Sequence, residues 1–139
     1  MSLHDLYVRY HDRVQFLMIY IREAHPVDGW WLGGGMTRLV TKTIGFTAVT
    51  DVYDPKTIEE RQAVAGRCEV DLRYDIQTYV DEMDDAVSKA YAAFPTRLYL
   101  VGLDGRVVYA GGLGPFGFNP AELGAAIEEY LIREDGVAA

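Results

Sequence analysis

Residues 14 to 21, Val-Gln-Phe-Leu-Met-Ile-Tyr-Ile, form a nearly unbroken run of apolar, β-branched and aromatic side chains, and this run constrains the fold more than any other feature. It is far shorter than the roughly 20 residues of a membrane span. Its composition suits a strand buried on both faces, the habit of strands in parallel sheets. Just ahead of it, Leu3, Leu6, Tyr7 and Tyr10 recur at helical spacing behind Ser2, whose hydroxyl can cap a first turn. A helix over 3 to 12 followed by a buried strand is therefore expected.

The remaining elements follow from period and punctuation. Residues 22 to 35 lose all pattern in Ala24-His25-Pro26, Asp28-Gly29 and Gly33-Gly34-Gly35, with Trp30 and Trp31 between them, so a long loop above the strand end is expected. Residues 39 to 53 concentrate strand formers around Gly45 and read as one bent strand or a hairpin. Thr57 and Glu60 form a capping box that opens a helix to about Leu72, its inner stripe being Val64, Cys68 and Leu72. Ile76 to Val80 is a short strand, and Val87, Ala90, Tyr91 and Phe94 mark a helix closed by Pro95. Residues 97 to 102 and 106 to 110 flank Asp104-Gly105, a dipeptide suited to a tight hairpin turn. Asn119 and Pro120 open a last helix with Leu123, Ile127, Tyr130 and Leu131 facing inward, and residues 134 to 139 are expected to fray. This order describes an α/β sandwich on a mixed sheet whose last strand pair is antiparallel.

Composition sets the outer limits. With 139 residues, 50% of them apolar, the chain can bury one ordinary core, so a single domain over 1 to 139 is expected. A formal charge of -8 argues against nucleic acid and anionic membranes as partners and leaves small molecules or other proteins. The lone Cys68 excludes a disulfide framework and a thiolate zinc site, and the amino terminus shows no basic stretch leading into an apolar run. A reduced, cytoplasmic protein is expected.

Among residues that could carry chemistry, Glu23 and His25 lie two apart just past a strand end, where an imidazole with a nearby carboxylate can handle protons. The competing reading has His25, ahead of Pro26, only fastening the loop. Cys68 sits on an inward helical stripe, where a thiol is a small apolar filler more often than a redox group. Asp81, Glu82, Asp84 and Asp85 could hold a hard cation, but acids around a helix start are what the helix dipole favours. His4 and His11 read as surface residues, so no metal site is expected. Trp30 and Trp31 could wall an aromatic pocket or cover the core. The glycines at 33 to 35 lack the lysine and hydroxyl of a phosphate loop.

Residues 14 to 30, and above all Glu23-Ala24-His25-Pro26-Val27-Asp28-Gly29-Trp30, resemble the strand and loop of the iodothyronine deiodinase family, bacterial relatives included. Residues 80 to 86, Arg97-Leu98-Tyr99 and 109 to 115 are similar to that family's later motifs in the same order, so the likeness covers nearly the whole chain. The resemblance implies a thioredoxin-like fold and reduction of carbon–iodine bonds through a selenocysteine, or a cysteine in many bacterial relatives. A thiol cosubstrate regenerates that group, and no other cofactor is implied. It further implies that Glu23 and His25 handle protons and that Trp30, Trp31 and Gly112 line the site for a small aromatic molecule.

Three departures accompany it. The family's nucleophile lies in a loop after an earlier strand, ahead of the helix corresponding to 3 to 12, and these 139 residues supply neither. Gln77 stands where many relatives place a proline, and Leu113 stands where some carry an arginine. The absent first strand is expected to lie between the strands at 15 to 21 and 77 to 80, its place taken by residues 39 to 53, within the chain or by strand exchange in a homodimer. The expected function is that of a deiodinase-like redoxin with weak or no activity. The rival is a non-catalytic binding or dimeric assembly protein, and a third reading makes Cys68 the working thiol.

Overall fold

The computed structural model describes residues 1–23, 53–72 and 76–137, with the side chains of 68–72 and 137 outside that description. Four helices and four strands are described: α1 (Leu3–Tyr10), β1 (Leu17–Tyr20), α2 (Ile58–Leu72), β2 (Gln77–Val80), α3 (Ala86–Ala90), β3 (Tyr99–Val101), β4 (Val107–Ala110) and α4 (Pro120–Val137). They group into two compact units, one of residues 1–16 with 92–139, the other of residues 17–91.

In the first unit α1 begins as its sequence dictates. The Ser2 hydroxyl accepts the Asp5 amide at 3.1 Å, and the Asp5 carboxylate accepts the Ser2 amide at 2.7 Å, a reciprocal box that satisfies two otherwise orphaned donors. Those two Ser2 contacts, the amide first, hold the Asp5 carboxyl below its ordinary value. Leu6 and Tyr10 on the inner face of α1 join Leu100 of β3 and Leu123 and Ile127 of α4 in the core. Burying each of these apolar side chains contributes about 1.5–3 kcal/mol. Arg9–Glu128 at 3.3 Å links α1 to α4, and Arg13–Asp135 at 2.7 Å links the turn after α1 to α4, both across exposed ground, where such pairs contribute at most about 1 kcal/mol.

The hairpin stands as read. Tyr99 pairs with Ala110 and Leu100 with Tyr109, antiparallel, with an irregularity between Leu100 and Val101. Gly105 adopts φ 78°, the left-handed conformation that its turn requires, and its amide donates to the Gly102 carbonyl at 2.9 Å. The Asn119 carboxamide oxygen accepts the Ala121 and Glu122 amides at 3.1 and 3.4 Å, fixing the start of α4. That helix runs through Val137, so most of the expected terminal fraying is not seen. Its seat on the hairpin carries it past the point where composition fades: the Tyr130 hydroxyl accepts the Leu103 amide at 2.9 Å.

The second unit holds a parallel pair. Leu17, Met18, Ile19 and Tyr20 face Gln77, Thr78, Tyr79 and Val80 in register. This corrects one expectation directly, because no strand stands between these two: they bond to each other, and that gap needs no filler. Residues 39 to 52, expected to fill it, lie outside the described residues. The described strands form two separate two-stranded sheets, β1–β2 and β3–β4. The strand expected over 14 to 21 is also shorter, since Val14 and Phe16 pack against the core of the first unit. Leu17 and Ile19 are 53% and 42% exposed, which differs from burial on both faces.

Helix α2 opens at Thr57, whose hydroxyl accepts the Glu60 amide at 3.3 Å, while the Glu60 carboxylate takes the Lys56 amide at 2.7 Å instead of closing the box on Thr57. Val64 is buried as its stripe predicts, with Ala65 and, ahead of β2, Ile76. Cys68 and Leu72 fall among the undescribed side chains. The helix expected through Phe94 is a single short turn ending at Ala90. Ala92 takes φ 45°, which ends helical geometry, and Tyr91 and Phe94 are each 40% exposed. The helical spacing of Val87, Ala90, Tyr91 and Phe94 runs past the point where helical geometry stops. Among the described residues the cis X-Pro peptides are Phe94–Pro95, ahead of β3, and Gly114–Pro115.

The loop joining β4 to α4 is closed by two glycines in contact: a Cβ on Gly117 would lie 2.5 Å from the Gly112 carbonyl carbon. Gly117→Ala is expected to cost about 1–3 kcal/mol in urea unfolding, because backbone must shift to admit the methyl group. Gly66→Ala, in the middle of α2 with nothing within 4 Å of the added carbon, is expected to stabilise by up to about 1 kcal/mol.

Candidate functional site

The end of β1 and the turn after β2 form the densest polar arrangement described. Pairing with β2 continues one residue past the strand, where the Asp81 amide donates to the Tyr20 carbonyl at 2.8 Å. The Asp81 side chain, 2% exposed, accepts the Glu82 and Val87 amides at 3.0 Å each and the Ser88 amide at 2.8 Å. Asp81 is thus a cap for the turn into α3, as the acids around this helix start were expected to be.

Arg61 of α2, 3% exposed, locks the same turn from the other side. Its Nη1 donates to the carbonyls of Asp81 and Glu82 at 3.2 and 2.7 Å. Its Nη2 lies 3.0 Å from Asp85 Oδ1, close enough for an ion pair but out of hydrogen-bond alignment. Arg61 Nε and that Asp85 oxygen are therefore buried without a hydrogen bond among the described residues. Asp85 holds φ 57° and makes no cap bond of its own, its carboxylate lying between Arg61 and, at 3.7 Å, Arg22. Breaking a buried pair of this kind costs about 3–5 kcal/mol.

Above this turn the Tyr20 hydroxyl donates to Glu23 Oε2 at 3.0 Å, and Glu23 is 8% exposed. A buried carboxylate fixed by a phenol can hold, accept or return a proton at one defined oxygen. Of the residues singled out in the sequence, Glu23 is placed here, while His25, Trp30 and Trp31 lie outside the described residues. Gly112 belongs to the first unit, on the glycine-closed loop. Tyr20 and Arg61 are not singled out by the sequence, and Asp85, read there only as one of the acids around a helix start, pairs with Arg61. Tyr20 is hidden inside an apolar run, although its three-residue spacing to Glu23 was a usable signal. A single arginine in a polar helix carries no sign that it will be buried.

Around the glycine loop, Arg97 Nε donates to the Gly111 carbonyl at 2.6 Å, and the guanidinium lies 5.3 Å from the Tyr99 ring centre. The Tyr109 hydroxyl donates to Glu122 Oε2 at 3.2 Å. Partial burial, then the Glu122 contact, push the Tyr109 phenol above its ordinary value.

The iodothyronine deiodinase family model matches residues 2–131. The chain belongs to the iodothyronine deiodinase family. It is 34% identical to thyroxine 5-deiodinase of Sparus aurata over 122 residues, 88% of this chain and 40% of that protein. It is 32% identical to thyroxine 5-deiodinase of Aquarana catesbeiana over 125 residues, 90% and 41% of the two chains. With type I iodothyronine deiodinase of Xenopus laevis it shares 30% over 114 residues, 82% and 39%. This deiodinase-family chain therefore spans about two-fifths of these relatives. Among its described residues no helix is long and apolar enough to cross a membrane.

Tyr20→Phe is expected to lower stability by about 0.5–1.5 kcal/mol through loss of the Glu23 hydrogen bond, measured by urea unfolding. Because the Tyr109 proton is held more tightly in the folded chain, stability is retained below the ordinary phenol value of about 10 and falls as pH rises above it. Tyr109→Phe is expected to remove that alkaline loss, read from urea midpoints on either side of that value.

Proposed function

We propose that this chain carries the proton-handling and substrate-binding part of a reductive dehalogenation of the deiodinase type. The hydrogen bond from Tyr20 to the buried Glu23 carboxylate at the end of β1, within a chain of this family, is the observation that supports the reading. Glu23 and His25 supply and orient the proton that replaces iodine on an aromatic carbon, and Trp30, Trp31 and Gly112 contribute to binding a small iodinated aromatic molecule. In balance, the aryl iodide and two thiols give the deiodinated arene, iodide with a proton, and a disulfide. The only thiol in these 139 residues is Cys68, and the reading assigns it no part. By themselves they are expected to turn over weakly or not at all, in a reducing cytoplasmic setting. The thioredoxin-like arrangement implied by the family belongs to the same proposal.

Iodide release from an iodinated phenol with dithiothreitol tests this. The isolated chain should release little above buffer. Fused behind a strand and loop bearing a cysteine, it should gain turnover that His25→Ala or Glu23→Gln lowers by about 100-fold, the scale of positioned acid–base help. Turnover by the isolated chain that disappears in Cys68→Ser would reject the assignment and favour Cys68 as nucleophile.

A second reading is favoured by one face of the parallel pair, where Leu17, Ile19 and Tyr79 are 53%, 42% and 47% exposed. Here the chain is a non-catalytic binding protein whose β1–β2 face is covered by a second copy. Sedimentation across a range of concentrations checks it. A dimer that Ile19→Lys dissociates supports this reading, and a monomer at all concentrations removes it.

A further inference from the structure

The ion pair between Arg61 and Asp85 gathers three unfavourable features at one place. Asp85 holds left-handed backbone at φ 57°, which glycine adopts without steric penalty and other residues do not. Its Oδ1, 3.0 Å from Arg61 Nη2, is buried with no hydrogen bond, and so is Arg61 Nε. A buried polar atom left unpaired opposes folding. A buried ion pair is also often no more stabilising than apolar side chains of similar volume. Stability alone therefore does not account for a carboxylate at this position.

The contacts of the pair give it another role, because Arg61 reaches the Tyr20–Glu23 contact from two sides within the second unit. On one side its Nη1 donates to the Asp81 carbonyl at 3.2 Å, and the Asp81 amide donates to the Tyr20 carbonyl at 2.8 Å, which ties down the backbone that carries the phenol. On the other, Asp85 Oδ1 faces Arg61 while Oδ2 lies 3.7 Å from Arg22 Nη1, and Arg22 directly precedes Glu23. With the Arg22 side chain half exposed, this last contact adds little energy. What it supplies is direction, since Asp85 is itself fixed by Arg61 and by backbone bonds to Glu82 and Lys89, each 2.9 Å. The phenol is held through its own backbone and the carboxylate through its neighbour, and both lines run back to one guanidinium.

We propose that Arg61 and Asp85 are positioning residues for proton handling at Glu23: the pair is kept despite its unfavourable local features because it fixes the Tyr20 hydroxyl against one oxygen of the Glu23 carboxylate. The catalytic meaning of this role rests on the function proposed above. The contact itself can be read without turnover, so its failure and the failure of dehalogenation are separate results.

The probe is the full chain labelled with carbon-13 at the tyrosine Cζ, the Tyr20 resonance being identified by its loss in Tyr20→Phe and the broken contact by its position in Glu23→Ala. Asp85→Asn tolerates left-handed backbone but lacks the charge, and Arg61→Lys keeps the charge but loses the planar fork. In both, the Tyr20 resonance is expected to move at least about half-way to its Glu23→Ala position, while the Tyr109 and Tyr130 resonances of the first unit stay in place. Arg22→Gln, at an exposed side chain, is expected to move it in the same direction by less. An unmoved Tyr20 resonance in either buried-pair variant that folds, even with a lowered urea midpoint, would make the pair structural only and overturn the assignment. A Tyr20 resonance that Glu23→Ala leaves in place would remove the contact itself and overturn it too. Should neither buried-pair variant fold, Arg22→Gln decides alone: movement of the Tyr20 resonance supports the assignment, and its absence overturns it.

Discussion

The second unit depends on the buried knot of Asp81 and Arg61. One residue, Asp81, extends the parallel ladder through its amide and stops the next turn through its carboxylate, and Arg61 takes the two carbonyls that this turn turns inward. Without the arginine the two carbonyls, that of Asp81 buried and that of Glu82 part-buried, would lose this donor, and without Asp81 three amides would lose their acceptor. Each such loss is expensive in a low-dielectric interior. The knot thus joins α2, the end of β1, the end of β2 and α3 by polar contacts, where two four-residue strands alone would bury too little to hold together.

What the knot positions is the Tyr20–Glu23 pair. Asp81 fixes the Tyr20 backbone, and Asp85, held by Arg61, lies beside Arg22, the neighbour of Glu23. A carboxylate on a loop is imprecise by itself, but one anchored on the last residue of a paired strand keeps its geometry. Kinship to the deiodinases is what makes this pair a candidate for the proton handling proposed above. In the first unit the constraint is of another kind. There an apolar core seats the hairpin, and close glycine contact shapes the loop that follows it.

Much of this was legible in the sequence wherever a local rule fixes the backbone. Ser2, Thr57 and Asn119 mark helix starts because each side-chain oxygen meets an amide of its own first turn, and Gly105 marks the hairpin because its φ is positive. Reading failed where the partner is distant. The stripe of Val87, Ala90, Tyr91 and Phe94 looked helical, yet left-handed backbone at Ala92 breaks it, which no pattern of side-chain polarity reveals. Val14 and Phe16 look continuous with β1 but pack in another core. Within the candidate site, Glu23 was found through its motif and its place past a strand. Arg61, far from Glu23 in the chain, was not, because a buried arginine is announced only by the carbonyls it serves.

Hydrogen–deuterium exchange of residues 17–23 in the wild type and in Arg61→Met tests the central claim, that the buried knot holds the β1 end and with it Glu23. At equal conditions, exchange of these amides should accelerate at least about tenfold, the consequence of losing a few kcal/mol of local stability, while α4 amides exchange as before. Unchanged exchange at 17–23, or an equal acceleration throughout the chain, would contradict it.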